Sequence, residues 1–195
     1  MNDYLVWIDC EMTGLNPEQD ELCEIAIIIT DSELNPVDEG LAVVIKPSNA
    51  AFSGMGHFVR DMHSESGLLE ELESGVGVEQ AEAMCLAYLG KHLNHERTSP
   101  LAGNSVGTDR VFLAKYMPEL EKKLHYRNVD VSSLKELARR WYPRVYFQLP
   151  KKNGNHRALQ DILDSIAELK FYRQTILVAQ PGPSSTEAKK VADKI

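Results

Sequence analysis

The sequence is short of cysteine, of positive charge and of long apolar runs. Cys10, Cys23 and Cys85 are its only cysteines, an odd number with no CxxC spacing. They fit neither a disulfide framework nor a zinc knuckle, and they suit a reducing compartment. No run approaches the roughly 18 apolar residues of a membrane span. Bases number 21 against 29 acids, for a formal charge of -8. A long nucleic-acid duplex held on a basic face is therefore not expected. A short anionic substrate stays open, provided metal ions supply the local positive charge. There is no internal repeat, and neither GxGxxG nor GxxxxGK[ST] occurs, so a dinucleotide site or a P-loop has no support. The opening MNDYLVWIDCEM enters a strand at once, leaving no room for a signal peptide or an amphipathic presequence. The expected location is cytoplasmic, or mitochondrial if a presequence has been removed.

What is present is ordinary for one globular domain: 43% hydrophobic and 26% charged residues over 195 positions. Residues 1–178 are expected to form that domain. From Ala179 the chain reads AQPGPSSTEAKKVADKI, where Pro181, Gly182 and Pro183 break structure and little can be buried. Residues 179–195 are expected to be a disordered tail. Strands are expected at Tyr4–Cys10, Glu24–Thr30 and Leu41–Ile45, close enough to form an antiparallel meander covered on both faces. Helical spacing predicts Ser64–Leu72, Val78–Leu93 and Asp109–Tyr116. Short strands follow at Pro100–Gly103 and Asn128–Val131. A further helix capped by Ser132 or Ser133 runs to about Trp141, and a last one starts near His156. The fold class is α/β, a mixed five-stranded sheet with three antiparallel strands first, flanked by helices.

The sharpest local feature is Trp7-Ile8-Asp9-Cys10-Glu11-Met12-Thr13-Gly14-Leu15. Side chains alternate along a strand, so Asp9 and Glu11 share a face, about 7 Å apart. Two acids at the end of an apolar strand are costly unless something positive lies between them, and hard divalent cations serve that purpose. Taken alone, the pair is more simply a strand end running out into solvent, because acids two apart are common. Asp109 follows a short strand and opens a helix, where α/β active sites gather; a first-turn acid favoured by the helix dipole is the plainer reading. His156 and Asp161 are five apart, a rotation of about 140° in a regular helix. They can cooperate only if His156 precedes the first regular turn, which the loop Asn153-Gly154-Asn155 allows. As a set, Asp9, Glu11, Asp109 and Asp161 could hold two divalent ions for phosphoryl transfer. Histidine titrates near neutrality, so His156 could take a proton from water.

Four segments in order, WIDCEMTGL, PLAGNSVGTDRVFLAKYMPEL, LHYRNVDVSSLKELARRWYP and HRALQDILDSIAELKFYR, are similar to the oligoribonuclease family. These are DEDDh exonucleases of ribonuclease H-like fold. The resemblance covers nearly all of residues 4–173. It implies a 3'-to-5' exoribonuclease that digests single-stranded RNA of about two to five nucleotides, dinucleotides especially, to 5'-mononucleotides, with two Mg2+ or Mn2+ ions. It puts the metal acids on Asp9, Glu11, Asp109 and Asp161, and the general base on His156. It selects Asp161 over the nearby Asp164, which geometry alone leaves open. It implies a homodimer in which Tyr126 reaches the partner active site, with Arg127, Ser132 and Ser105 holding the substrate's terminal 5'-phosphate. Leu15 matches a wedge against a base. Phe58 stands where relatives carry a base-stacking tryptophan, and His63 matches a family histidine beside that loop. Two departures stand out. Gln160-Asp161 replaces two consecutive acids, and the loop Ser48–Phe58 is small and rich in Ala and Gly.

Overall fold

Strand β2 (Leu22–Thr30, LCEIAIIIT) is buried at every position, as a central strand covered on both faces must be. It pairs antiparallel with β1 (Leu5–Met12) and with β3 (Leu41–Val44). Beyond β1 the sheet continues through β4 (Pro100–Gly103) and β5 (His125–Asp130), each parallel to its neighbour. The order β3-β2-β1-β4-β5 is the expected mixed five-stranded sheet with the antiparallel meander first. This is the structure of a computed structural model, which describes residues 3–151 and 156–195. The expected loop at residues 153–155, and Lys152 before it, lie outside the described residues.

In chain order the helices are α1 (Asn49–Gly54), α2 (His57–Glu65), α3 (Leu68–Glu71), α4 (Val78–His92), α5 (Val106–Tyr116), α6 (Pro118–Lys123), α7 (Val131–Trp141), α8 (Pro143–Tyr146), α9 (Ala158–Thr175) and α10 (Ser185–Ala192). The period-2 pattern of β1 divides the core between two faces. Val6, Ile8, Cys10 and Met12 pack with Cys85 and Leu89 of α4 and with Val106 and Phe112 of α5. Trp7 joins Ala26 and Ile28 of β2 against Ala158, Ile162, Ile166, Leu169 and Tyr172 of α9. That spacing makes one stripe along α9 and lays the helix over the face that Asp9 and Glu11 share.

Several boundaries differ from expectation, each for a local reason. The Ala- and Gly-rich loop is helical. Ser48 caps α1 by accepting from the Ala51 amide, and Glu21 anchors Ser48 through its amide and hydroxyl at 2.7 Å each. The single helix expected at Ser64–Leu72 is divided by Gly67, whose positive φ of 76° ends one turn and starts the next. Helix α7 is capped by Asp130 rather than by either serine. The tail contains α10, which has a capping box between Ser184 and Glu187 but buries no residue.

Candidate active site

The site lies where β1 ends. The register with β2 shifts after Glu11, and the chain turns away through Thr13–Asp20. Asp20 ties that turn: it accepts from the Thr13 hydroxyl at 3.0 Å and the Asn16 amide at 2.9 Å. Its carboxylate occupies the space where a Cβ on Gly14 would fall, 2.4 Å away, so a larger residue there would have to displace Asp20 from these two bonds. Leu15, one residue on, projects outward and is 75% exposed.

Asp9 and Glu11 leave β1 on the same face, and Asp161 meets them from the first turn of α9. Each offers a carboxylate oxygen, and the three oxygens lie within 4.8 Å of one another. Glu11 is buried, and its carboxyl is pushed up to about 8 by that burial, then by Asp161, Glu24 and Asp109, with Arg157 pulling the other way. Carboxylates so close, with Glu11 buried between partly exposed Asp9 and Asp161, favour a proton or a cation between them. An all-oxygen donor set of this kind suits a hard divalent ion.

Asp109 arrives from the opposite face on α5. Pairing of β1 with β4 ends at Trp7 and Ala102, and further along β1 the amide of Cys10 is met by Asp109 Oδ1 at 2.9 Å. Asp109 thus grips the peptide between Asp9 and Glu11 without joining the three-way cluster. Burial pushes its carboxyl up to about 6, against the lowering effect of the Cys10 amide.

His156 is exposed, with a left-handed φ of 44°, and α9 starts two residues later. It therefore precedes the first regular turn, the condition that the five-residue spacing to Asp161 imposed. His63, at the end of α2, is fully buried. Its Nε2 donates to the Met12 carbonyl at 2.9 Å, and its Nδ1 is 3.9 Å from Glu11 Oε2. Desolvation holds its pKa down. Phe58, near the start of the same helix, is 81% exposed.

Ser105 and Ser132 come together, with their hydroxyl oxygens 3.0 Å apart. Tyr126 and Arg127 do not join them. They lie on edge strand β5, where Arg127 Nε donates to the Tyr126 hydroxyl at 3.0 Å and both residues face outward.

Sequence reasoning missed the residues that hold this arrangement. Glu24 stands on β2, 1% exposed among isoleucines. It accepts from Arg157 Nη2 at 2.8 Å and from the Ala158 amide at 2.9 Å, the first orphan donor of α9. Arg157 also bonds Glu71 of α3 at 2.9 and 3.0 Å. A lone acid inside a buried strand is the signal that could have found this pair, since such a charge requires a partner. Asp130 was missed as well. One of its oxygens accepts from the amides of both Ser105 and Ser132, at 3.0 and 2.9 Å. That bond helps hold Ser105 at a left-handed φ of 56°.

Residues 6–169 match the RNase_T exonuclease family model. The chain is 58% identical over 188 residues to the oligoribonuclease of Leifsonia xyli, covering 96% of this chain and 91% of that protein. The chain belongs to the oligoribonuclease family. The oligoribonuclease of Streptomyces griseus is also 58% identical, over the whole of this chain and 97% of its own length. That of Mycobacterium tuberculosis is 54% identical over 100% of this chain and 91% of its own. The fold is shared more widely. Zinc-bound Escherichia coli exonuclease I in its single-stranded DNA complex matches 90% of this chain with a TM-score of 0.72 and 15% identity. Exonuclease I of Methylocaldum szegediense matches 89% with a TM-score of 0.66 and 19% identity. This chain spans 41% of the length of either protein, and the likeness is one of fold. Membership in the oligoribonuclease family makes the chain an exonuclease, and the acid cluster at the end of β1 makes its activity metal-dependent.

Proposed function

We propose that the chain hydrolyses short oligoribonucleotides from the 3' end to 5'-mononucleotides. The carrying observation is the convergence of Asp9, Glu11 and Asp161 carboxylate oxygens within 4.8 Å, with His156 on the irregular approach to the helix that carries Asp161, in a chain of the oligoribonuclease family. Those three acids and Asp109 would hold two Mg2+ or Mn2+ ions, with Asp109 also bonding the Cys10 amide between two of them. Divalent cations bound there would supply the Lewis-acid charge that makes water nucleophilic near neutral pH and stabilises a leaving oxygen. His156 takes the proton of the attacking water on an imidazole nitrogen. Leu15 and Phe58 pack on the bases, and His63 supports the site from beneath through the Met12 carbonyl. The Ser105 and Ser132 hydroxyls donate to the terminal 5'-phosphate.

Tyr126 and Arg127 serve the partner subunit's site in a homodimer. Register supports this: Trp7, Ala102 and Val129 stand in line across β1, β4 and β5. Asp9 lies two residues beyond that line and Tyr126 three residues short of it. With two strand spacings between them, the separation is roughly 15–20 Å, beyond the reach of a tyrosine. The unpaired edge of β5 and the exposed Trp141 and Phe147 of the α7–α8 region give a second copy an apolar surface to cover. No helix among the described residues is long and apolar enough to cross a membrane. Three free, buried cysteines support a cytoplasmic location.

The test is a time course on 5'-labelled RNA of two to seven nucleotides with Mg2+, Mn2+ or chelator, run beside DNA of the same lengths. Metal-dependent loss of the shortest RNA, and slower loss of matched DNA, is expected. Preference for long DNA would overturn the substrate, and cleavage in chelator would overturn the metal role.

A further inference from the structure

Strand β5 carries a two-residue irregularity. Pro100 pairs with His125, but the next pairing is Leu101 with Asn128, so Tyr126 and Arg127 have no partner on β4. A bulge of this kind leaves ladder groups unpaired and re-aims the side chains it carries. Its carbonyls are taken up by one residue of α5. Arg110 Nη1 donates to the carbonyls of His125 at 3.0 Å and Tyr126 at 3.2 Å, and to Asn128 Oδ1 at 2.6 Å. The other side of the guanidinium is fixed by Glu121 Oε1, 3.0 Å from Nε and 2.7 Å from Nη2. The His125 ring lies 4.4 Å from the Tyr126 ring, completing the support of a tyrosine that is 64% exposed. A planar fork with five donors can span these acceptors at once, and an ammonium cannot. Arg110 is also the neighbour of Asp109, whose side chain turns the other way, to the Cys10 amide of its own site.

We propose that Arg110 is a positioning residue for Tyr126, so that α5 completes its own active site through Asp109 and shapes the partner subunit's site through Arg110. The inference rests on the shared-site homodimer proposed above. It predicts that loss of Arg110 is felt in the partner's site, not in the site nearest to it in sequence.

Mixed dimers separate the two. In a dimer of one Arg110→Met and one Asp109→Ala subunit, purified on two tags, the intact set of acids belongs to the Arg110→Met subunit. It receives Tyr126 from the Asp109→Ala subunit, where Arg110 is present. The Arg110→Met homodimer should lose at least roughly tenfold in dinucleotide kcat/KM, as misplacement of a contacting group does. The mixed dimer should regain about half the wild-type turnover per dimer, with wild-type KM. Arg110→Lys, which keeps the charge and loses the fork, should lie between Arg110→Met and wild type as a homodimer, and it serves in the mixed dimer should Arg110→Met fail to fold. A Tyr126→Ala and Asp109→Ala mixed dimer is run in parallel. If that control regains activity and the arginine pair does not, Arg110 acts within its own site and the inference is overturned. If neither pair regains activity, the shared site itself is wrong and the inference falls with it. Wild-type turnover in the Arg110→Met homodimer would also overturn it.

Discussion

Glu11 and Glu24 stand directly opposite each other on antiparallel strands, two buried carboxylates on one face of the sheet. Like charges so placed repel. The structure resolves the conflict by giving them different partners. Glu24 is consumed by Arg157 and the Ala158 amide, and so fastens the start of α9 to β2. Glu11 is left to face Asp9 and Asp161. The same bonds that neutralise Glu24 hold Asp161 in place and set the chain from which His156 projects.

Arg157→Met should accordingly cost about 2–4 kcal/mol, because it strands Glu24 in the core; the lower end allows for the partial exposure of the arginine. Urea unfolding measures it. The double change Glu24→Gln with Arg157→Met should be less destabilised than Arg157→Met alone, since no charge is then buried without a partner. Both should lose turnover, because α9 loses its anchor. A double variant less stable than the single would show that the pair does not act this way.

The metal-free protein should lose stability between about pH 7 and 8. Glu11 is raised from an ordinary 4.5 to about 8, so across this window the folded state keeps a proton that the unfolded chain has released. Stability is present in full below the unfolded value and is lost as pH rises through the folded one. Asp109 acts in the same sense nearer pH 6. His63 acts in the opposite sense below its ordinary 6.5, so the window above 7 isolates Glu11. A bound cation replaces the proton. Added Mg2+ should therefore raise the melting temperature more at pH 8 than at pH 7, with proton release measurable by calorimetry in buffers of different ionisation enthalpy. A larger Mg2+ shift at the lower pH would contradict the assignment of Glu11.

Much of this site is legible in the sequence. Alternation along β1 puts Asp9 and Glu11 on one face; that α9 lies over that face, with Tyr172 in its stripe, is visible only in the structure. The five-residue spacing of His156 and Asp161 required an irregular approach, and His156 has it. What stayed hidden was long-range pairing. Nothing local in Asp130 says that it joins Ser105 to Ser132, since 25 residues separate it from the first of these. Ser132 and Ser133 are both suitable caps by residue type, yet Asp130, earlier in the chain, takes the role. The composition of Ser48–Phe58 cannot show Glu21 reaching across to Ser48.

Asp130→Ala follows from that hidden contact. It removes the cap of α7, at about 1 kcal/mol, and frees the amides that bring the two serine hydroxyls together. KM for a 5'-phosphorylated dinucleotide should rise while kcat stays near wild type. A dinucleotide with a free 5'-hydroxyl should be unaffected, because it has no phosphate for those hydroxyls to hold. Equal losses on both substrates would show that the serine pair does not read the 5' end.

His156 allows its backbone and its imidazole to be tested apart. A non-glycine residue at φ 44° carries a steric cost of about 1–2 kcal/mol. Both His156→Ala and His156→Gly remove the base, and turnover should fall roughly 10²–10⁴-fold in each. Only glycine relieves the strain, although it also adds entropy to the unfolded chain, at about 0.4–1 kcal/mol. His156→Gly should therefore melt at or slightly above His156→Ala, and Mg2+ should stabilise both as it does wild type, because the carboxylates are untouched. Added imidazole should restore part of the rate in the glycine variant. A glycine variant that cleaves dinucleotides at the wild-type rate would remove His156 from the chemistry. One that no longer responds to Mg2+ in melting would place His156 in the metal site instead.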